Sequence, residues 1–172
     1  MKDEFEPQPI PEILHSEYLE APFKVCTRCG ESLGDFDDGY QIVKTYKAGE
    51  VIMEYALCAP CAMNLLDEYS EETRQNMERF FAENYTRGLG LDKCGLCQDE
   101  EKLEGRQLKE FALVGACLGN EMFDSMRACS ACMEKTNELV SKKTRDVWRD
   151  FIDNNFPGVP ESFAPEPVGI FV

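Results

Sequence analysis

A chain of 172 residues can form one domain or two small ones, and its 43% hydrophobic content suits a globular fold. The formal net charge of −15 disfavours nonspecific contact with nucleic-acid phosphates, which needs clustered Lys and Arg. No apolar run approaches the roughly 18 residues of a membrane span, and the start MKDEFEPQ lacks the basic and apolar regions of a secretory signal, so a soluble, cytoplasmic protein is expected.

Residues 1–24 form an acidic arm containing Pro7, Pro9, Pro11 and Pro22, expected to be extended, with a short helix near Glu12–Leu19 and Ile10, Ile13, Leu14, Tyr18 and Leu19 free to pack. A first unit, 25–88, starts with Cys26-Thr-Arg-Cys29-Gly30, a metal-binding turn whose glycine permits the twist after the second ligand. Tyr40–Tyr46 and Val51–Leu57 read as strands either side of a hairpin turn at Lys47-Ala-Gly49-Glu50. Cys58-Ala-Pro60-Cys61 then opens a helix, and a proline is well tolerated in that first turn. Ser70, followed by Glu71 and Glu72, caps a second helix with Met77, Phe80, Phe81 and Tyr85 on one face.

Leu89–Lys93 read as a link into a second unit that ends at residue 156. There Leu108–Val114 and Met122–Ala128 replace the two strands, with Gly115–Asn120 as the turn. Cys129 and Cys132 open the next helix, and Lys142–Asn155 form the last, with Val147, Trp148, Phe151, Ile152 and Phe156 as its apolar face. Residues 157–172 are a proline-rich tail ending in Ile170-Phe171-Val172, a frayed end or a docking peptide.

Eight of the nine cysteines fall in four C-x-x-C pairs, with 28 residues between the first two pairs and 31 between the last two. One such pair bites an ion from a tight turn, and two pairs complete the tetrahedron of a closed zinc site. Cys26, Cys29, Cys58 and Cys61 are therefore assigned to one zinc ion, and Cys94, Cys97, Cys129 and Cys132 to a second. Iron is the alternative metal for four thiolates, and nine cysteines at metal spacing in a chain without a signal read as reduced rather than as a disulfide framework.

An internal repeat supports the same grouping. A shift of 71 carries Cys58/Cys61 onto Cys129/Cys132, Ser70, Thr73 and Arg74 onto Ser141, Thr144 and Arg145, and Phe80 onto Phe151, while Cys26/Cys29 reach Cys94/Cys97 by a shift of 68. The three-residue difference is expected between the cysteine pairs, where a hairpin turn could lengthen. A cross-braced arrangement, with the first pair joined to the third, is the alternative, but it would not explain a self-contained repeat.

Turn with two ligands, hairpin, then a helix whose first turn supplies two more: this order resembles the treble-clef zinc finger over about 26–86 and 94–156. The resemblance implies an α+β fold of two tandem treble-clef-like zinc units, similar in layout to the zinc-binding domain of the ClpX unfoldase, which recruits adaptors and dimerises. Catalytic zinc would need an open position and usually histidine or carboxylate ligands. The single histidine, His15, lies in the arm and reads as a surface residue.

The expected function is therefore that of a non-enzymatic scaffold or adaptor, with no catalytic residues and two zinc ions per chain. With two filled four-thiolate sites the charge becomes roughly −19, which would steer a basic protein partner; a homo-oligomer also fits, and no membrane partner is expected. A thiol-responsive regulator is the alternative function, and a nucleic-acid-associated protein or acidic nucleic-acid mimic the third. The local basic run Lys142, Lys143, Arg145 and Arg149 reads as a solvated helix face. Cys117, without a counterpart in the first unit, reads as a small semi-buried residue in the turn or as a regulatory thiol.

Overall fold

A computed structural model describes residues 6–35, 37–98 and 110–156. The β-rich runs form two antiparallel hairpins: β2 (Tyr40–Lys47) with β3 (Glu50–Cys58), and β5 (Phe111–Leu118) with β6 (Glu121–Cys129). Strand β1 (Gln8–Pro9) pairs with the start of β6, and β4 (Gly90–Cys94) runs parallel to its far end. Helices α1 (Ala59–Glu68) and α2 (Glu71–Asn84) follow the first hairpin, and α3 (Ser130–Glu138) and α4 (Lys142–Asn155) follow the second. A shift of 71 carries β2 onto β5, β3 onto β6 and α2 onto α4, residue for residue.

The two hairpins join into one mixed α+β body, because β2 pairs antiparallel with β5 and gives the strand order β1-β6-β5-β2-β3. Val43 lies opposite Val114, its own repeat equivalent. A pseudo-twofold axis therefore passes between those two valines. Both central strands are buried along nearly their whole length, since each face of the sheet is covered.

The helices cover one face, and they do so by exchange. Tyr55 on β3 packs edge-on against Phe151 of α4, with ring centroids 5.5 Å apart, and also meets Trp148 and Phe156. At the other end, Tyr85, which caps the C-terminus of α2, hydrogen-bonds Asp124 of β6 at 3.1 Å. Each half thus lends its last helix to the sheet of the other. The helix N-termini meet on the axis, where Ser70 and Ser141 hydroxyls lie 2.7 Å apart. The Ser70 N–H donates to Thr144 Oγ1 and the Ser141 N–H to Thr73 Oγ1, both at 2.9 Å.

The N-terminal arm covers the opposite face. Leu14 is fully buried against Gly115, where an added Cβ would come within 2.7 Å of Leu14 Cδ1. Burial of a leucine of this kind contributes roughly 1.5–3 kcal/mol. Beside it the ammonium of Lys44, buried in the sheet, donates to the carbonyls of Ile13 at 2.9 Å and His15 at 2.8 Å, with Glu54 3.8 Å away. Glu54 in turn accepts from Ser16 Oγ and from the N–H groups of Glu17 and Tyr18. A buried cation is tolerated because its charge and its donors all find partners.

Four expectations change. Gly115 is not in a turn: β5 runs through to Leu118, and the glycine marks close approach of the arm instead. Cys117 accordingly sits in a buried strand position. The hairpin turns are of equal length, so the three extra residues lie between Cys97 and Phe111, ahead of β5. Residues assigned to a link form β4, because their backbone finds the free edge of β6, and the proposed helix near Glu12–Leu19 shrinks to a 3-10 turn at Glu12–Leu14. Leu108, placed in a strand, and the tail 157–172 with Ile170-Phe171-Val172 lie outside the described residues.

Candidate metal centres

Each cysteine quartet is assembled from three pieces. The first pair sits on a tight turn held against the hairpin: the Thr27 N–H donates to the Ala56 carbonyl, and the Gly95 N–H to that of Arg127, both at 2.8 Å. The third cysteine ends a strand and N-caps a helix, and the fourth lies in the first turn of that helix. Pro60 at the start of α1 has no N–H to leave unpaired there. The backbone twist after the second ligand is left-handed in both halves, at Gly30 with φ 76° and at Gln98 with φ 61°. Gln98 bears this conformation with its side-chain amide bonded to the carbonyls of Asn84 and Gly95 and to Thr86 Oγ1.

The ligand atoms of Cys26, Cys29, Cys58 and Cys61 all lie within 4.8 Å of one another, as do those of Cys94, Cys97, Cys129 and Cys132. The repeat grouping is the one brought together, and the two quartets stand apart with no cross-brace between them. A zinc–sulfur distance of about 2.3 Å implies sulfurs about 3.8 Å apart on a tetrahedron. Cys29 and Cys58 sulfurs are 3.9 Å apart, and those of Cys97 and Cys129 are 3.7 Å apart. A disulfide would need about 2.05 Å, and all nine cysteines are free. The donor sets fit one ion each.

The thiols are unequal in acidity. Burial works to raise Cys26, but N–H donors from Cys29, Cys58 and Arg28 outweigh it and bring the thiol down to about 7. Cys94 behaves alike: backbone donors at Cys129, Cys97 and Leu96 overcome burial and hold it at about 7. Desolvation pushes Cys58 up to about 11 and raises Cys61 and Cys132 further. Cys26 and Cys94 are therefore the thiolates that the backbone favours, and Cys58, Cys61 and Cys132 give up protons to a bound cation. Direct N–H···S bonds reach Cys26 Sγ from Cys58 and Cys94 Sγ from Cys129, both at 3.4 Å.

Of the other residues singled out in the sequence, Cys117 lies far from neutrality, its thiol pushed up to about 12 by burial. His15 takes no part in either quartet, and its carbonyl serves Lys44. Arg145 in the basic run is engaged, donating to the Asn137 carbonyl at 2.6 Å. Sequence reasoning missed Gln41, whose buried side-chain amide has no hydrogen-bond partner among the described residues; in a strand that also carries Lys44, Thr45 and Lys47, no sequence signal set it apart. Among the described residues no helix is long and apolar enough to cross a membrane. Comparison with protein-family models, with curated proteins and with solved structures gives no match.

Proposed function

We propose that the chain is a non-enzymatic adaptor whose two treble-clef-like units each hold a structural zinc ion, and whose acidic surface binds a basic protein. The carrying observation is the pair of quartets made of cysteine alone. Four thiolates saturate a tetrahedral zinc, leaving no position for substrate or activated water. Zinc suits such a site without the assembly that an iron–sulfur cluster requires. The likeness in layout to the zinc-binding domain of the ClpX unfoldase favours recruitment of another protein. The charge of −15, made more negative by two filled sites, would speed encounter with a basic surface.

Elemental analysis of the purified chain is expected to give two zinc ions. Cys58→Ser should reduce this to one and destabilise the first half, since a closed site loses a quarter of its ligands. Association with the basic partner should slow several-fold as salt approaches physiological strength, where the Debye length is about 8 Å. One metal per chain, or visible absorbance from iron, would sink the zinc assignment. Submicromolar binding to DNA or RNA, lost on neutralising Lys142, Lys143, Arg145 and Arg149, would replace the adaptor with a nucleic-acid role.

A second reading has one observation in its favour: Cys29 and Cys97 are exposed while their quartet partners are more buried. An oxidant would reach these sulfurs first, and zinc release at mild peroxide, followed by altered partner binding, would mark a thiol-responsive regulator.

A further inference from the structure

On the helix face of the sheet, beside Leu57, Ala59 and Ala62, which flank Cys58 and Cys61, lies a cavity of about 570 Å³. Leu57, Ala62, Leu66, Ala116 and Phe123 supply apolar wall, and Met63 stands at the rim, 60% exposed. Its volume falls in the range of small-molecule sites, which combine apolar walls with a few polar groups. Gln41 also lines it. This side chain is only 5% exposed, and neither its Nε2 nor its Oε1 has a hydrogen-bond partner among the described residues. Buried amides are otherwise satisfied. Because no hydrogen bond holds the Gln41 amide, rotation about its side-chain bonds toward the cavity breaks none.

A second polar element closes one wall. Asp124 accepts from the Tyr85 hydroxyl at 3.1 Å and from the Ser125 N–H at 2.9 Å, and Arg87 Nε lies 3.5 Å from the same carboxylate. Its charge is therefore balanced, and this wall offers no net ionic attraction to a ligand.

The repeat isolates the feature further. Under the shift of 71, Gln41 corresponds to Ala112, Asp124 to Met53 and Tyr85 to Phe156. The scaffold of the two halves coincides element by element, yet Gln41, Asp124 and Tyr85 have no polar counterparts in the other half, where Thr45 stands in place of Ala116.

We propose that this cavity is a binding site for a neutral small molecule with a flat apolar body and an amide-type edge, an N–H beside a C=O, that pairs with the Gln41 amide. The apolar walls take the body of the ligand. A primary amide presents one donor and one acceptor side by side, and a lactam or carboxamide edge matches both at once. An apolar ligand of equal shape would leave the Gln41 amide unpaired and bind more weakly, as sites built to hydrogen-bond a substrate discriminate against analogues that lack the group.

The test uses the full zinc-loaded chain and two probes of matched shape: 2-quinolinone, which carries a lactam edge, and naphthalene, which does not. Nitrogen–proton NMR should show saturable shifts for the Gln41 side-chain amide and for Ala116 and Phe123 on adding 2-quinolinone. Gln41→Leu is expected to weaken 2-quinolinone at least tenfold while leaving naphthalene unchanged or tighter. Met63→Trp, at an exposed rim position, should weaken both probes by blocking entry, and it decides the matter should the Gln41 variant lose its zinc or its fold. Absence of saturable shifts at millimolar probe, equal 2-quinolinone affinity in Gln41→Leu, or unchanged binding of both probes in Met63→Trp would each overturn the assignment.

Discussion

At the scale of single residues the decisive contrast is between thiols that look alike in sequence. Cys26 and Cys94 sit where backbone donors converge, and they titrate at about 7, whereas burial holds Cys58 at about 11. Zinc takes thiolates, so loading the metal-free protein must release whatever protons the cysteines still hold. Below 7 Cys26 and Cys94 still carry their protons and surrender them; above 7 they have already lost them, and Cys58 gives up its proton in both ranges. Calorimetric titration in buffers of different ionisation enthalpy should therefore find about one proton fewer released per zinc at pH 8 than at pH 6. An unchanged count would show that the backbone donors do not favour those two thiolates.

At the scale of elements, the hydroxyl cluster at the meeting of α2 and α4 couples the two halves. Ser70 and Ser141 each accept from the N–H of the residue three ahead, the ordinary N-cap bond, and they also bond each other across the axis. Thr73 and Thr144 are fully buried beneath them, with their hydroxyls 3.0 Å apart. Ser70→Ala and Ser141→Ala should each destabilise the protein by about 1 kcal/mol through the lost cap. Because either change removes the partner of the other, the double variant should cost less than the sum, by about 0.5–1 kcal/mol in urea unfolding. Additive losses would mean that the two caps act separately.

At the scale of the whole molecule, the halves are duplicated in sequence but not separable in packing. A fragment spanning 20–88 would expose the edge of β2 and lose α4, whose Phe151 and Trp148 cover Tyr55. Its own α2 would be left without the β6 surface on which Tyr85 rests. Chains of this size bury only about 60% of their unfolded surface, so zinc alone gives a marginal core. A second copy can replace the missing half, placing Val43 opposite the same valine of its partner and exchanging the last helices. Sedimentation of the zinc-loaded fragment is expected to give a dimer, with amide protection along Tyr40–Tyr46. A folded, protected monomer would contradict the exchange.

The order of residues along the chain was enough to define the two quartets, the first hairpin and the helix caps. Each of these rests on contacts between close neighbours or on a fixed spacing: Cys-x-x-Cys at a turn, β-rich runs either side of Lys47-Ala-Gly49-Glu50, Ser70 ahead of Glu71 and Glu72. Tertiary structure alone decided that β2 pairs with β5, that the last helices change places, and that the arm lies over the sheet with Lys44 fastened to its carbonyls. Those choices depend on which distant surfaces fit, and no local period encodes them. Gly115 shows the reason in one residue. Glycine marks a turn and a close approach equally well, and only the arrival of Leu14 from a hundred residues earlier tells the two apart.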